Sequence, residues 1–433
     1  MSRTFAMCRL FLFLDAQTVS SSSWKTVRHD RRLRLTKSFK CGVDKKCPLI
    51  MKNTCPYRLT KPLKLPVLHN FNSILQKQRN TLIFKQKFAT FNWTLFVLFI
   101  SLFIRYDKIV ASVINRIGYT MSDLCENPHG LLELEVCLHE QSPDISAAVG
   151  KIELGAGETL GAGDQGIMVG YATSETAEYM PLPVVLAHRI CKRLDELKPT
   201  TPWMGADGKA QVTVAYENGV PIAVTAVVIS LQHDAKIDHK DIRRFIGKEV
   251  LGKVLPRELL KEDTSILINP SGKFVLGGPA ADTGLTGRKL AVDQYGPVAH
   301  IGGGALSGKD PTKVDRSGAY AARWVAKNIV AAGMAKRCEV QIAYAIGKSE
   351  PVSVTVDTFG TGVISDSRIE AAVKAAFDLT PAGIIRDLKL NHPIYSRLAC
   401  YGHFGRAELE LPWEEINRKY ELLSAALKQS VRQ

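Results

Sequence analysis

Residues 211–230 read QVTVAYENGVPIAVTAVVIS. Val212, Val214 and Tyr216 alternate with other residues before Asn218-Gly219, and Ile222, Val224, Ala226 and Val228 alternate after it. A period of two is that of a strand with one buried face, and Asn-Gly between two such runs is the chemistry of a tight hairpin turn. The spacing predicts strands over 211–217 and 222–230. On the N-terminal side, Leu186, Ile190, Leu194 and Leu197 form one stripe behind Pro183, which predicts a helix over 184–197. On the C-terminal side, Ile242, Phe245, Ile246, Val250 and Val254 predict a second helix over 242–254. The order then returns beyond a glycine-rich stretch, 272–308. A helix over 317–332 ends at Gly333, strands follow over 339–346 and 352–358, and a helix covers 367–378. Helix, hairpin, helix, used twice, predicts an α+β fold with largely antiparallel sheets covered by helices on one face.

Charge divides the chain near residue 110. The whole sequence carries a formal net charge of +15, yet residues 1–110 hold 21 Lys/Arg against 4 Asp/Glu, and the remainder 36 against 38. The body is therefore nearly neutral and has no general attraction for nucleic acid. Within the basic opening, 88–104 reads FATFNWTLFVLFISLFI, seventeen uncharged residues flanked by Lys87 and Arg105. At helical rise that is about 25 Å, the lower edge of a membrane span, and it is the one stretch that predicts membrane contact. The nine cysteines are odd in number, widely spaced and without a CxxC pair. Reduced thiols in the cytoplasm are the expectation.

Three blocks could carry chemistry. Residues 302–320, GGGALSGKDPTKVDRSGAY, place Lys309, Lys313 and Arg316 among glycines ahead of a helix start, with Asp310 and Asp315 between them. Cations, open backbone and free helical N–H groups make an anion site, and carboxylates beside it suit a hard divalent ion. The spacing is not that of a Walker A loop, and a polar surface loop has the same composition. Residues 277–293, GGPAADTGLTGRKLAVD, bring Arg288 and Lys289 behind a glycine turn, as a phosphate clamp or as an exposed hairpin turn. Residues 161–171, GAGDQGIMVGY, have a glycine spacing close to a dinucleotide fingerprint, but Asp164 interrupts it and no β-branched strand precedes it.

Taken in order, these blocks resemble the S-adenosylmethionine synthetase family, also called methionine adenosyltransferases. The resemblance rests on QSPDI at 141–145, GAGDQG at 161–166, DGKAQVTVAY at 207–216, NPSGKFVLGGP at 269–279 and GGPAADTGLTGRK at 277–289. It continues through SGKDPTKVDRS at 307–317, YAARWVAKNIVAAG at 320–333, FDL at 377–379 and YGHFGR at 401–406, about 111–416 in all. It implies three similar α+β domains about a pseudo-threefold axis. Here these would be a remnant over 111–157, a central domain over 158–275 and a C-terminal domain over 276–416, with a tail over 417–433. It implies a homodimer or dimer of dimers with shared active sites. The implied reaction takes ATP, L-methionine and water to S-adenosylmethionine, phosphate and diphosphate with Mg²⁺ and K⁺. By motif, Lys209, Arg288, Lys289, Lys309 and Lys313 face the polyphosphate, Lys289 also serving its hydrolysis, and Asp315 is a Mg²⁺ ligand. Asp164 and Asp282 hold adenosine and methionine, Gln141 lies on the methionine side, Phe274 packs on adenine, and 146–160 is a mobile gate.

The family opens with a histidine-proline-aspartate-lysine motif whose histidine assists departure of the triphosphate. That motif occurs nowhere in this sequence, and the matching part begins near 114–123, INRIGYTMSD. Residues 1–110 are expected to be an unrelated segment, disordered or wrongly joined to the body, and the chain as written to make little or no S-adenosylmethionine. A regulatory paralogue that binds ATP or polyphosphate without turnover, and a membrane-anchored nucleotide-binding protein, are the other readings.

Overall fold

The computed structural model describes residues 2–8, 33–39, 105–124, 132–138 and 160–430. Its strands are β1 (Ser2–Cys8), β2 (Leu33–Phe39), β3 (Leu132–Leu138), β4 (Gly166–Thr173), β5 (Met204–Glu217), β6 (Val220–His233), β7 (Leu260–Ile268), β8 (Arg337–Tyr344) and β9 (Ser353–Asp357). Its longer helices are α1 (Tyr106–Ile117), α2 (Leu182–Leu197), α3 (His239–Ile246), α4 (Val314–Ala331), α5 (Asp366–Ala376), α6 (Pro381–Asp387) and α7 (Lys419–Ser430).

The hairpin is present and longer than its alternating core. β5 and β6 pair antiparallel from Met204↔His233 to Glu217↔Val220, with Asn218 and Gly219 at φ 50° and 78°. Positive φ at both turn residues is what Asn-Gly supplies. β1 pairs antiparallel with the outer edge of β5, Cys8 facing Gly208, and β7 adds parallel to β6, giving the order β1-β5-β6-β7. α2 covers this sheet. Glu175 accepts a hydrogen bond from the Leu182 amide at 2.8 Å, Pro183 stands in the first turn, and the predicted stripe Leu186, Ile190, Leu194 and Leu197 is buried against Val212, Val214, Val227 and Ile229. The predicted helix over 242–254 is interrupted. α3 ends at Ile246, and a π turn, Gly247–Leu251, follows where Gly247 and Gly252 weaken α propensity.

A second core forms around α4, buried along almost its whole length. It packs on the sheet β4-β8-β9, both pairings antiparallel. β4 comes from the stretch that begins with GAGDQG, yet its partners lie after residue 336, so this sheet joins the two sequence halves. Gly170 marks the closest approach, since a Cβ there would stand 2.0 Å from the Ala322 carbonyl carbon. Arg323 closes the joint. It donates to the Tyr171 and Tyr179 carbonyls at 2.8 Å and forms an ion pair with buried Glu414 at 2.9 Å, which Lys327 also meets at 2.8 Å. The remaining two-stranded sheet, β2-β3, pairs Leu33 with Leu138. No described helix is long and apolar enough to cross a membrane, and 88–104 lies outside the described residues.

Candidate functional site

The start of α4 and the loop before it build the densest polar site. The sequence predicted this helix from 317. It begins at Val314, so Asp315 and Arg316 sit in its first turn rather than in the loop. Asp315 is 6% exposed, and one carboxylate oxygen accepts the Gly304 amide at 2.8 Å while the other meets Lys309 Nζ. A Cβ on Gly304 would stand 2.7 Å from that ammonium, so a larger residue there would push the lysine off the pair. Lys313 caps the helix, and its Nζ is buried with no hydrogen-bond partner among the described residues. A buried ammonium in that state is stabilised by an arriving anion.

Two of the other blocks border this loop. A Cβ on Gly163 would stand 2.6 Å from the Thr312 carbonyl oxygen and 3.2 Å from Lys313 Cδ, so the GAGDQG turn carrying Asp164 lies beside Lys313. Asp164 accepts the Gln165 amide at 2.8 Å. A Cβ on Gly287 would stand 2.4 Å from Ala305 Cβ, which places exposed Arg288 and half-buried Lys289 next to the same loop. Asp282, farther along the 277–293 loop, is exposed.

Beneath the loop runs a buried chain of polar contacts. Arg316 donates from Nη1 to the Lys309 carbonyl at 2.8 Å, lies 3.9 Å over the Tyr395 ring and donates from Nε to the Tyr320 hydroxyl at 3.1 Å. That hydroxyl lies 2.7 Å from His403 Nδ1, and His403 Nε2 lies 3.1 Å from Ser307 Oγ. Burial, then Arg316 and Arg406, holds the His403 imidazole well below its usual range, so it is neutral. Trp413 stacks on Tyr320 at 3.8 Å and donates to the His403 carbonyl at 3.0 Å, fixing both rings.

Lys209 and Phe274 belong to a second group, around the four-stranded sheet. Lys209 is half-buried on β5, opposite Ser230 of β6 and Met7 of β1. Phe274 exchanges backbone contacts with His233, its amide donating to His233 Nε2 at 3.1 Å. Behind them Asp207 accepts Tyr119 Oη at 3.0 Å and the Gly278 amide at 2.8 Å, while Gln232 donates to Asp123 at 2.6 Å and to the Val275 carbonyl at 3.1 Å. The segment after α1 thus anchors the loop that leads to Asp282.

Comparison with known proteins agrees with this arrangement of blocks. Residues 159–274 match the S-adenosylmethionine synthetase central domain, and residues 276–415 match the C-terminal domain. The S-adenosylmethionine synthase of Clostridium acetobutylicum is 50% identical over 330 residues, covering 73% of this chain and 83% of that protein. The S-adenosylmethionine synthase of Desulforudis audaxviator is 51% identical over 334 residues, covering 75% and 84%. The chain belongs to the S-adenosylmethionine synthetase family.

In this synthetase chain, Gln141 and all of the expected gate except Leu160 lie outside the described residues. Reasoning from sequence missed the roles of Ser307, Tyr320 and His403, and it placed Arg316 in the anion site, whereas Arg316 is 1% exposed and holds the loop from beneath. The signal for His403 was its place between Gly402 and Gly405, in a turn that ties 402–406 to α4. At Gly318, inside α4, a Cβ would stand 3.1 Å from both Met168 and the Tyr344 ring, so a larger residue there would displace those side chains by a few tenths of an ångström.

Proposed function

We propose that the body of this chain is the ATP-binding and polyphosphate-holding part of an S-adenosylmethionine synthase. The single observation that carries this is Lys313 Nζ, buried and without a hydrogen-bond partner among the described residues, beside the Lys309–Asp315 pair. In the reaction, the methionine sulfur lone pair forms a bond to C5′ of ATP and the C5′–O bond breaks. Triphosphate leaves with that electron pair, and water then divides it into phosphate and diphosphate. Charge builds on the departing oxygens, so fixed cations lower the barrier. Lys309, Lys313, Arg288 and Lys289 serve that role on one loop cluster; Lys209 adds to it from β5. Asp164 and Asp282 orient adenosine and methionine, Phe274 packs on adenine, and Gln141 faces methionine.

Asp315 suits Mg²⁺, which takes one or two carboxylates together with phosphate oxygens and water, and the ion supplies charge neutralisation of the leaving group. K⁺ is expected with it. The placement of Lys209 on a separate sheet, with Phe274 in the loop beside it, supports sites shared by two subunits, in a homodimer or dimer of dimers, with two complete domains and a remnant of a third in each chain. Edge strand β7 supports the same assembly: Ile266 and Leu267 are 37% and 45% exposed. The free thiols of Cys191, Cys338 and Cys400 are consistent with a cytoplasmic setting.

The missing histidine motif sets the expected activity. A positioned general acid contributes about 10²–10⁴-fold. Methionine-dependent release of phosphate and diphosphate from ATP by the purified 433-residue protein is therefore expected at least about a hundredfold below that of a complete relative. Inorganic tripolyphosphate should still bind, measured by calorimetry with Mg²⁺ present. Turnover equal to that of the complete relative would refute the impairment, and absence of tripolyphosphate binding would refute the site.

A further inference from the structure

We propose that Ser307 is a further hydrogen-bond donor to the bound polyphosphate, with Arg316, Tyr320 and His403 as positioning residues that keep its proton available. The proposal rests on the polyphosphate reading of the loop.

A guanidinium can only donate, so at the Arg316–Tyr320 contact the phenolic oxygen is the acceptor. That leaves the tyrosine's own proton to place, and the geometry assigns it to the acceptor 2.7 Å away, His403 Nδ1. An imidazole that accepts at Nδ1 and is neutral carries its single proton on Nε2. That proton points at Ser307 Oγ, 3.1 Å away, which accepts it. Ser307 therefore keeps its own proton for another partner. It stands two residues before Lys309, whose carbonyl the same Arg316 holds. It is half-buried and followed by Gly308 at φ 84°, where the loop turns. The Ser307 proton, beside two lysines, is available to an anion. The stacked Trp413 keeps Tyr320 from rotating away, and burial keeps His403 from taking a second proton that would turn both its nitrogens into donors.

Removing the middle of the relay frees the polarity without removing the serine. In Tyr320→Phe, His403 can shift its proton to Nδ1, and Nε2 then accepts from Ser307. The serine proton is consumed internally and is lost to the ligand.

The test uses the full chain and inorganic tripolyphosphate with Mg²⁺, titrated calorimetrically at pH 7.5. Ser307→Ala is expected to weaken binding about tenfold, as loss of one hydrogen bond to a charged group does. Ser307→Thr, which keeps the hydroxyl, should restore most of the affinity. Tyr320→Phe should weaken binding by a similar factor, and the double variant should be no weaker than either single one, because both remove the same proton. Thermal melts accompany each variant, and a purely structural role would give additive losses that follow stability. Full affinity in Ser307→Ala, or additivity in the double variant, overturns the proposal while leaving the cage intact if Lys309→Ala still loses binding. No binding by the unaltered chain overturns the polyphosphate reading and the relay's purpose with it.

Discussion

Lys313 and His188 show two ways in which a buried group is held. Lys313 Nζ lacks a partner among the described residues, so it costs stability until an anion arrives. Lys313→Met should raise the unfolding free energy by about 1 kcal/mol, read in denaturant melts, while weakening tripolyphosphate binding at least about tenfold. A fall in stability without ligand would contradict this account. His188 is buried as a neutral ring, and burial, with Arg406 second, lowers it to about 4. Unfolded, it titrates near 6.5. Between these values the unfolded chain binds the extra proton, so the stability from this group is full above about pH 6.5. It is lost as pH falls through 4, about 3 kcal/mol in all. Asp293 has the opposite sign. Burial raises its carboxyl to about 6, so the folded chain holds the extra proton and its contribution is lost as pH rises from about 4 through 6. Melting temperatures from pH 4 to 8 should show a flatter acid limb in His188→Gln. Asp293→Asn should raise the melting temperature at pH 8 and leave it unchanged at pH 4.

At the scale of elements, the contact between β4 and α4 sets the tightest tolerance. Gly170→Ala forces the Ala322 backbone away, because no flexible side chain can yield there. A loss of about 3 kcal/mol or more is expected, measured by chemical unfolding, since the strain falls on a packed helix and sheet together. The same glycine explains why this strand was illegible in the sequence. GIMVGYAT reads as a glycine block with no alternation, whereas almost all of its residues are buried because both of its faces are covered. β7 was missed for the opposite reason: LKEDTSILI is exposed along most of its length, so it has no apolar face to announce it. The hairpin and the helices α2 and α5 were legible because each buries one periodic stripe, while α4, buried on all sides, was legible from its length and from Gly333 at its end. Within the site, the lysines and Asp315 could be read from a single loop. The relay could not, since Tyr320 and His403 are 83 residues apart and Ser307 and His403 are 96 apart, and only the folded chain brings them together.

For the whole molecule, the exposed edge strand and the two groups of site residues make the same prediction. Among the described residues β7 is an open edge, and with Ile266 and Leu267 exposed on it such an edge invites pairing with another chain. Light scattering should find at least a dimer in solution. A charge at Ile266 or Leu267 should dissociate it, weakening ATP binding while tripolyphosphate binding at the Lys309 loop is retained. A monomeric unaltered chain would remove the support for shared sites.

The bond from Arg323 to a carbonyl 152 residues earlier also orders events in time. The first core draws most of its partners from α2 through β7, near in sequence, with β1 already made, and can form while the chain is still emerging from the ribosome. The second cannot close until β8 and β9 have been made. Until then β4 must wait with both apolar faces uncovered, and loop closure over that distance is slow. Synthesis that stalls between the two sheets therefore leaves an aggregation-prone strand attached to an otherwise finished first core, and chaperones would find their target there.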